Sequence, residues 1–186
     1  MAISSAAQKV SDAAVTHFAE RGFESASLKE IAEAAGIRKA TIYSHFKNKD
    51  ELFLHAFSGS IEVEGAFVSS CFDADTEAGE RYLARVASRY STSEHLRLML
   101  RTAFIPPGGL REQVSLGYEK FISHIRARFV AKLQQNSSDA ELLAEAYIGI
   151  IDSVHVELLY ASPAAAERRR KALWHILHAA VTATHR

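Results

Sequence analysis

The segment 27–46, which reads SLKEIAEAAGIRKATIYSHF, constrains the fold more than any other part of the chain. It contains two short stretches with apolar residues at helical spacing, and Gly36 lies between them, where a residue free to adopt positive φ suits a sharp turn. The apolar residues are Leu28, Ile31, Ala32 and Ala35 in the first stretch and Ile37, Ile42 and Phe46 in the second. The pattern predicts two short helices joined by a tight turn, which is a helix-turn-helix.

Positive charge is concentrated on the second of these helices and just after it. Residues 34–49 contain four cations, Arg38, Lys39, Lys47 and Lys49, and no acidic residue. Residues 1–58 as a whole are balanced, with seven Lys/Arg and seven Asp/Glu. A local cluster of this kind is expected on a helix that lies in the major groove of DNA, because the flanking phosphates attract cations. A solvated helix on an ordinary bundle could carry the same charges, and the helix-turn-helix spacing favours the DNA interpretation.

The whole chain is also typical of helices, since it has only three prolines and nine glycines. Helices are predicted over 5–20, 28–35, 38–45, 49–70, 78–90, 93–104, 110–135, 139–161 and 163–184. The clearest break is the run PPGG at 106–109, because proline cannot continue a helix. We therefore expect an all-α fold of about nine helices. An N-terminal three-helix DNA-binding domain (1–48) is predicted to join a C-terminal helical bundle (49–186) without a flexible linker.

Capping pairs support several of the predicted helix starts. A short polar side chain is followed three residues later by Glu or Gln at four places, namely Ser5–Gln8, Ser27–Glu30, Asn48–Glu51 and Ser138–Glu141. Ser162 precedes Pro163, which suits the first position of a helix, and the pair Arg21-Gly22 is expected to end the first helix.

Composition excludes several classes of protein. The chain is 48% hydrophobic and 24% charged, which suits a globular protein, and its formal net charge is zero. The single cysteine, Cys71, excludes an internal disulfide, fits a reducing cytoplasm and is expected to be a buried small hydrophobe. No export signal and no apolar run of about 18 residues is visible. We therefore expect a soluble, cytoplasmic protein that does not enter a membrane.

Residues from about Val10 to His55 resemble the DNA-binding domain of TetR-family regulators. The resemblance rests on FAERGF at 18–23, SLKEIA at 27–32, AGI at 35–37 and ATIYSHFKNKDEL at 40–52. It covers about a quarter of the chain. It implies a bacterial repressor that binds double-stranded operator DNA as a dimer and has no cofactor. It also implies a divergent C-terminal helical domain that forms the dimer and binds a small-molecule effector.

The resemblance also implies contacts with the DNA backbone. Tyr43, His45 and Lys49 match positions that bind phosphates. Ser27, at the start of the first helix of the motif, could do so through its hydroxyl and its backbone N–H.

Base contacts are implied for the second helix of the motif, where Arg38, Lys39, Thr41 and Ser44 match positions that read base edges. Arg38 or Lys39 could bind guanine O6 and N7, and Ala40 or Thr41 could contact a thymine methyl group. Ala40 stands where many family members have glycine, so the backbone is expected to approach DNA less closely.

The last two helices are predicted to form the homodimer. The stretch 142–161, LLAEAYIGIIDSVHVELLYA, is apolar nearly all round, which indicates burial on more than one side. The final helix has an apolar seam at spacings of three and four, made of Leu173, Ile176, Leu177, Ala180, Val181 and Thr184. Two-fold pairing of these surfaces would set the two recognition helices about 34–36 Å apart, one turn of DNA, although wider spacing is also possible.

Effector contacts are predicted for polar or aromatic groups on otherwise apolar helices. These are Phe67, Tyr82, Tyr90, Met99, Phe104, Tyr118, Phe121, His124, Phe129, Tyr147, Asp152 and His155. The alternative for each is ordinary core packing. Asp152 and His155 stand out because a charge on so apolar a helix needs a partner, which could be the other residue, the second protomer or a ligand.

Other functions are weaker hypotheses. The chain has no Gly-x-Ser-x-Gly elbow, phosphate loop or His-Glu-x-x-His, so an enzyme is not expected. A DNA-binding protein without an effector, constitutive or controlled by a partner protein, remains an alternative. His175, His178 and His185 could suggest a metal site, but no cysteine or carboxylate is placed to complete it. The basic run at 168–171 is expected to be a solvated helical turn.

Overall fold

The computed structural model describes residues 5–75, 77–133 and 139–183, and these residues form α-helices and connecting segments without a β-strand. The helices of the described ranges are α1 (Ser5–Ser25), α2 (Leu28–Ala34), α3 (Lys39–Tyr43), α4 (Lys49–Asp73), α5 (Glu80–Thr92), α6 (Glu94–Phe104), α7 (Arg111–Lys132), α8 (Ala140–Tyr160) and α9 (Pro163–Ala183). A 3₁₀ turn, Gly108–Leu110, precedes α7. Over the residues that the structure describes, the predicted all-α fold of about nine helices is confirmed.

Glycines interrupt the chain where the sequence predicts breaks. Gly22 leaves helical geometry with φ 76° and ψ 171°, after which α1 continues for one short turn to Ser25. Gly36, between α2 and α3, has φ 68°. Both residues use the left-handed region, which a side chain disfavours. The predicted interruption at Gly22 is confirmed, and the extra turn after it was not predicted.

Three of the predicted helix caps form. The Ser27 hydroxyl accepts a hydrogen bond from the backbone N–H two residues on, at 3.2 Å, and that of Ser162 accepts one from three residues on, at 3.1 Å. Asn48 Oδ1 accepts from Glu51 N at 2.8 Å, while the Glu51 carboxylate accepts from Lys47 N at 2.6 Å. These two bonds stabilise the start of α4, although Glu51 accepts from the residue before the cap and not from Asn48 N as in a complete capping box.

Two predicted capping boxes are only partly correct, because their second partners are engaged elsewhere. The Gln8 amide donates to Asp12 Oδ1 at 2.9 Å. The Glu30 carboxylate pairs with Arg21 at 2.7 Å, which joins the end of α1 to α2. The pair that begins at Ser138 lies outside the described residues.

The second helix of the helix-turn-helix, α3, is shorter than predicted. Instead of 38–45, α3 covers Lys39–Tyr43, and Arg38 has an extended backbone (φ −79°, ψ 143°) immediately before it. After the break at 106–109, the 3₁₀ turn intervenes before α7 begins. The predicted ends at Gln135 and Thr184 lie outside the described residues.

The packing of the chain forms two compact units. Their limits differ from the predicted domains 1–48 and 49–186. Within the described ranges, the first unit comprises 5–64 and 93–118, and the second comprises 65–75, 77–92, 119–133 and 139–183. Two of the three boundaries between the units fall inside α4 and α7, and the third lies between α5 and α6. The functional division at residues 48 and 49 remains a prediction.

In the first unit, α1 packs against α2 and α6. The buried rings of Phe18 and Phe53 meet edge to face at 5.0 Å, and Phe23 lies 5.0 Å from Phe53. Ile31 of α2 and Ile42 of α3 are completely buried. The two helices of the motif are therefore anchored by their apolar sides, which leaves their other sides for solvent.

In the second unit, α8 packs mainly against α9, and α5 contacts both. Tyr147 of α8 is buried, stacks on Phe129 at 4.2 Å and meets Trp174 edge to face at 6.4 Å. Its hydroxyl donates to the Gly79 carbonyl at 2.7 Å. Gly79 has φ 83°, and a Cβ there would lie 2.6 Å from the Tyr147 ring. Only glycine fits this position without displacing the ring.

The described residues can be compared with two expectations drawn from composition, namely that Cys71 is buried and that no helix crosses a membrane. Cys71 is fully buried, as expected for a small hydrophobe, and burial raises the pKa of its thiol. No helix in the described ranges combines the length and hydrophobicity needed to cross a membrane.

Candidate nucleic-acid interface

The turn between α2 and α3 is closed by two backbone hydrogen bonds. Gly36 N donates to Glu33 O at 3.1 Å, and Ile37 N donates to Ala32 O at 3.0 Å. This pair of bonds is a Schellman motif, in which glycine takes the left-handed position after the helix. The angle between the two helices of the motif is therefore specified by local backbone geometry.

The apolar sides of the motif face inward as predicted. Ile31, Ala32, Ile42 and Phe46 are buried, and Leu28, Ala35 and Ile37 are half-buried. Because these residues occupy one side of each helix, the polar residues of α3 are directed away from the core.

The outward face of α3 and its flanks is cationic. The exposed residues are Arg38, Lys39, Ala40, Tyr43, Ser44, His45 and Lys47, and Thr41 is half-buried. Within the described residues, neither Arg38, Lys39 nor Lys47 lies within ion-pair distance of a carboxylate. Their charge is thus available to an external anion. Lys47 was not among the predicted contacts, although its charge was visible in the sequence.

Two of the predicted phosphate contacts already take part in the fold. The Lys49 ammonium donates to the Glu24 carbonyl at 3.2 Å and lies 4.5 Å from the centroid of the Phe23 ring. The Ser27 hydroxyl caps α2. A DNA contact by either residue would be additional to this structural role.

Ser44, which is predicted to contact a base edge, already uses its hydroxyl hydrogen in a hydrogen bond within the protein. Its hydroxyl donates to the Thr41 carbonyl at 2.7 Å, so its oxygen remains available as an acceptor. The neighbouring Tyr43 side chain is 52% exposed, which is unusual for a large aromatic residue. Both residues lie on the solvent side, where the prediction places them.

The predicted effector residues do not share one environment. Tyr82, Met99, Phe121, Phe129, Tyr147 and His155 are buried, Phe67, Tyr90, Phe104, Tyr118 and His124 are half-buried, and Asp152 is exposed. Met99, Phe104 and Tyr118 belong to the first unit, and the others belong to the second.

The contacts of several of these residues are those of ordinary packing. Phe104 and Tyr118 meet edge to face at 6.4 Å. The Phe67 ring has the Arg89 and Arg85 guanidinium carbons 4.7 and 5.1 Å from its centroid. These observations favour the core-packing alternative for such residues, and a role in effector binding remains a prediction.

Asp152 and His155 differ sharply in exposure. His155 is completely buried, and desolvation lowers its pKa to about 3, so the imidazole is neutral near pH 7. Asp152 is exposed, and the choice between a pair with His155, a contact with the second protomer and a ligand contact stays open.

Two surface grooves occur in the first unit. One, of about 590 Å³, lies along α1, α2 and α6 and includes Thr16, His17 and His95. The other, of about 370 Å³, lies along α1, α4 and α6 and includes His55 and His95. No predicted effector residue lines either groove.

The predicted dimer seam on α9 is divided between two faces. Leu177 and Val181 are buried within the protomer, where α9 packs against α8 and α5, and the role of this seam in a dimer stays a prediction. Leu173 is half-buried, Ile176 and Ala180 are exposed, and Thr184 lies outside the described residues.

Large apolar side chains are nevertheless exposed on both of the last two helices. They are Leu142, Val156 and Tyr160 of α8 and Ile176 of α9, and each of these residues is between 41% and 71% exposed. We call these four residues the α8–α9 face.

The histidines and the basic run of α9 have local partners. His178 lies 3.2 Å from the Glu77 carboxylate, and His185 lies outside the described residues. In the described ranges no group of three or more His, Cys, Asp or Glu side chains could hold a metal ion. Arg170 is buried and pairs with Glu167 at 2.7 Å, so the expectation that the whole run is solvated is wrong for Arg170.

Comparison with known proteins connects this geometry to a family. Residues 10–56 match the family described as bacterial regulatory proteins, tetR family. The chain is 34% identical over 104 residues to the HTH-type transcriptional regulator AcrR of Shigella flexneri, covering 52% of this chain and 47% of that protein. It is 28% identical over 106 residues to the HTH-type transcriptional activator FasR of Mycolicibacterium smegmatis, covering 55% of this chain and 48% of that one. The chain therefore spans about half the length of these curated relatives.

A solved structure supports the same fold over most of the chain. The transcriptional regulator FadR from Bacillus subtilis, in complex with stearoyl-CoA, has a TM-score of 0.65 at 19% identity, covering 89% of this chain and 96% of that one. The buried backs of α2 and α3 and the exposed cationic face together form a helix-turn-helix. Residues 10–56 are therefore similar in sequence to the TetR family of bacterial regulatory proteins, and the likeness to the solved structure extends the fold over most of the chain.

Proposed function

We propose that the chain represses transcription by binding an operator on duplex DNA as a homodimer, and that a small-molecule effector releases it. The observation that carries the proposal is the outward face of α3, where Arg38 and Lys39 are exposed while Ile42 on the opposite side is buried. A helix anchored in this way can enter the major groove without unfolding any part of the core. Its site of action is then the bacterial cytoplasm, where chromosomal DNA lies.

The contacts we propose fall into two groups. Arg38 or Lys39 binds guanine O6 and N7, and Ala40 or Thr41 contacts a thymine methyl group, with Ser44 as an acceptor. Phosphates are bound by Ser27, Tyr43, His45 and Lys49.

Selection of bound duplexes from a random pool tests the DNA function. We expect enrichment of an inverted repeat whose half-site centres are one helical turn, about 10–10.5 base pairs, or more apart. Failure to enrich any sequence, or enrichment of a site without two-fold symmetry, would contradict the proposal of a dimeric operator-binding protein.

The homodimer is supported by the α8–α9 face, because large apolar side chains grouped on adjacent helices are unusual on the surface of a monomer. Pairing of this face about a two-fold axis would bury it and set two recognition helices on one side of a duplex. Residues 49–186 then form the dimerisation and effector domain.

A matched pair of variants tests the interface. Ile176 is 68% exposed on the α8–α9 face, and Ile105 is 65% exposed in the first unit. In sedimentation equilibrium, the wild type and Ile105→Glu should be dimers, whereas Ile176→Glu should dissociate and lose operator affinity. A dimeric Ile176→Glu protein would place the interface elsewhere.

The effector proposal is supported by the family and by the FadR protein from Bacillus subtilis, whose structure contains stearoyl-CoA. A thermal-shift screen that includes stearoyl-CoA should find a compound that raises Tm, because a ligand of the folded state stabilises it by mass action. The same compound should weaken operator binding by about 5–150-fold, the usual range of such coupling.

A second candidate is a helix-turn-helix protein without an effector, either constitutive or controlled by a partner. The packing of Tyr147 against Phe129, Trp174 and Gly79 favours it, because a residue predicted to line an effector pocket is already surrounded by protein. Compounds that raise Tm without releasing DNA would support this candidate and count against an inducible repressor.

A further inference from the structure

An arginine far from the recognition helix in sequence contacts the end of α1. Arg101, in the last turn of α6, donates from Nη1 to the Glu20 carbonyl at 3.1 Å. A Cβ placed on Gly22 would lie 3.1 Å from both Nε and Nη2 of the same guanidinium. The planar group therefore rests beside the Gly22 backbone, where an added Cβ would push it away by a few tenths of an ångström.

The contact between Arg101 and Glu20 lies at the end of α1, where the chain makes one short turn after Gly22. Phe23 of that turn packs on Phe53 of α4 at 5.0 Å, and the Glu24 carbonyl accepts from the Lys49 ammonium at 3.2 Å. The residue before Gly22, Arg21, pairs with Glu30 of α2 at 2.7 Å. We call residues 20–25 the α1 junction. It contacts α2, α4 and α6, and the chain enters α2 directly after it.

Cations suit this position for a physical reason. The last carbonyls of a helix have no partner within the helix and carry the negative end of its dipole. Arg101 binds the carbonyl of Glu20, and Lys49 binds that of Glu24. A guanidinium can donate one hydrogen bond while its flat face covers a backbone segment, which an ammonium cannot do.

We propose that Arg101 is a positioning residue for operator binding. Its guanidinium holds the α1 junction in one orientation and thereby sets the direction in which α2 and α3 leave that junction. Arg101 lies outside residues 10–56, which match the family, so a determinant of DNA affinity is located beyond the matched domain. This inference rests on the proposed operator binding.

Three variants and one control test the role. Arg101→Ala removes the guanidinium, Arg101→Lys keeps a donor without the planar group, and Gly22→Ala fills the space beside it. Arg111→Ala is the control, since it removes an exposed positive charge from the same unit. Each protein is titrated with the operator selected from the random pool and with a scrambled duplex of equal length.

We expect Arg101→Ala and Gly22→Ala each to raise the operator Kd at least about fivefold, the lower end of ordinary coupling between distant sites. The scrambled-duplex Kd should change less than about twofold, because unspecific binding depends on charge rather than on helix orientation. Arg101→Lys should be intermediate. The Arg101→Ala, Gly22→Ala double variant should be no weaker than the weaker single variant, since both changes break one contact.

Hydrogen exchange provides a readout that does not depend on DNA. Amides of residues 26–46 should exchange faster in Arg101→Ala and Gly22→Ala than in the wild type, and Arg111→Ala should match the wild type. If Arg101→Ala fails to fold, Arg101→Lys carries the same comparison. Unchanged operator affinity in the Arg101 variants, or equal losses on operator and scrambled duplex, would overturn the inference.

The two proposals fail in distinguishable ways. If the wild type selects no operator, the proposed function fails, and hydrogen exchange alone decides whether Arg101 positions the motif. If the wild type selects an operator and the Arg101 variants bind it equally well, only the positioning role fails.

Discussion

Substitution of Lys49 can distinguish a structural role from a DNA-binding role, because Lys49 has contacts within the protein and is also a proposed phosphate contact. Its ammonium donates to the Glu24 carbonyl at 3.2 Å and lies 4.5 Å from the Phe23 ring centroid. A cation over an aromatic ring at a partly exposed site contributes about 0.5–1 kcal/mol, and a net hydrogen bond contributes a similar amount. Lys49→Ala should therefore lower the free energy of unfolding by about 1–2 kcal/mol, measured by urea denaturation.

The same variant should alter the electrostatics of DNA binding. Each phosphate neutralised by a protein cation contributes about −0.9 to the slope of log K against log salt concentration. If Lys49 also binds a phosphate, Lys49→Ala should make that slope shallower by about one unit on every duplex. Fluorescence anisotropy titrations between about 50 and 200 mM salt would measure it.

Lys39 is the matched control for this experiment. It is exposed and has no carboxylate partner among the described residues, so Lys39→Ala should change stability by less than about 0.5 kcal/mol. As a proposed base contact it should weaken binding to the operator by about 1–3 kcal/mol. A Lys49→Ala protein that is destabilised but keeps the wild-type salt slope would refute the phosphate role and assign Lys49 to the fold alone.

Three further predictions concern stability. Gly79→Ala should cost about 2–5 kcal/mol in urea denaturation, because left-handed φ costs about 1–2 and overpacking against the Tyr147 ring about 1–3; a loss below 1 kcal/mol would mean that the ring moves freely. Ser27→Ala should cost about 1 kcal/mol through loss of the α2 cap, and an unchanged denaturation midpoint would contradict that role. Burial lowers the pKa of His155 from 6.5 to about 3, so between these values the unfolded chain binds more protons and stability falls as pH falls. The slope should approach about 1.4 kcal/mol per pH unit, and His155→Leu should remove that contribution, whereas identical pH profiles would contradict the burial of a neutral imidazole.

The sequence predicts helices well where the signal is local. Gly36 marks the turn of the motif and adopts positive φ, and the Asn48–Glu51 pair caps α4. Such signals involve neighbours within four residues, so they do not depend on the tertiary fold. For the same reason the inward and outward sides of α3 could be assigned from Ile42 and its polar neighbours.

The sequence does not predict whether a side chain is buried, or what it packs against, where that depends on distant helices. Ile176 and Leu177 look alike in an apolar seam, yet one is exposed and the other buried, because α5 and α8 cover only one side of α9. Tyr147 stacks on Phe129 of another helix, a contact that its own helix does not reveal, and its role as an effector contact stays a prediction. Apolar periodicity identifies a buried stripe without identifying its partner.

Long-range polar contacts are equally invisible in the sequence. Arg101 binds the Glu20 carbonyl across 81 positions of the chain, and Lys49 binds the Glu24 carbonyl across 25. Their acceptors are backbone groups, which leave no mark in side-chain composition. The role of Lys49 in the fold could therefore be found only from three-dimensional geometry.

The most direct test of the central claim is a methylation-protection experiment on the selected operator. Guanine N7 faces the major groove, so a recognition helix in that groove should shield it from dimethyl sulfate. We expect protection in two clusters on one face of the duplex, one per half-site, and loss of protection at specific guanines in Arg38→Ala or Lys39→Ala. Full reactivity of every guanine N7 in a saturated complex would contradict insertion of α3 into the major groove.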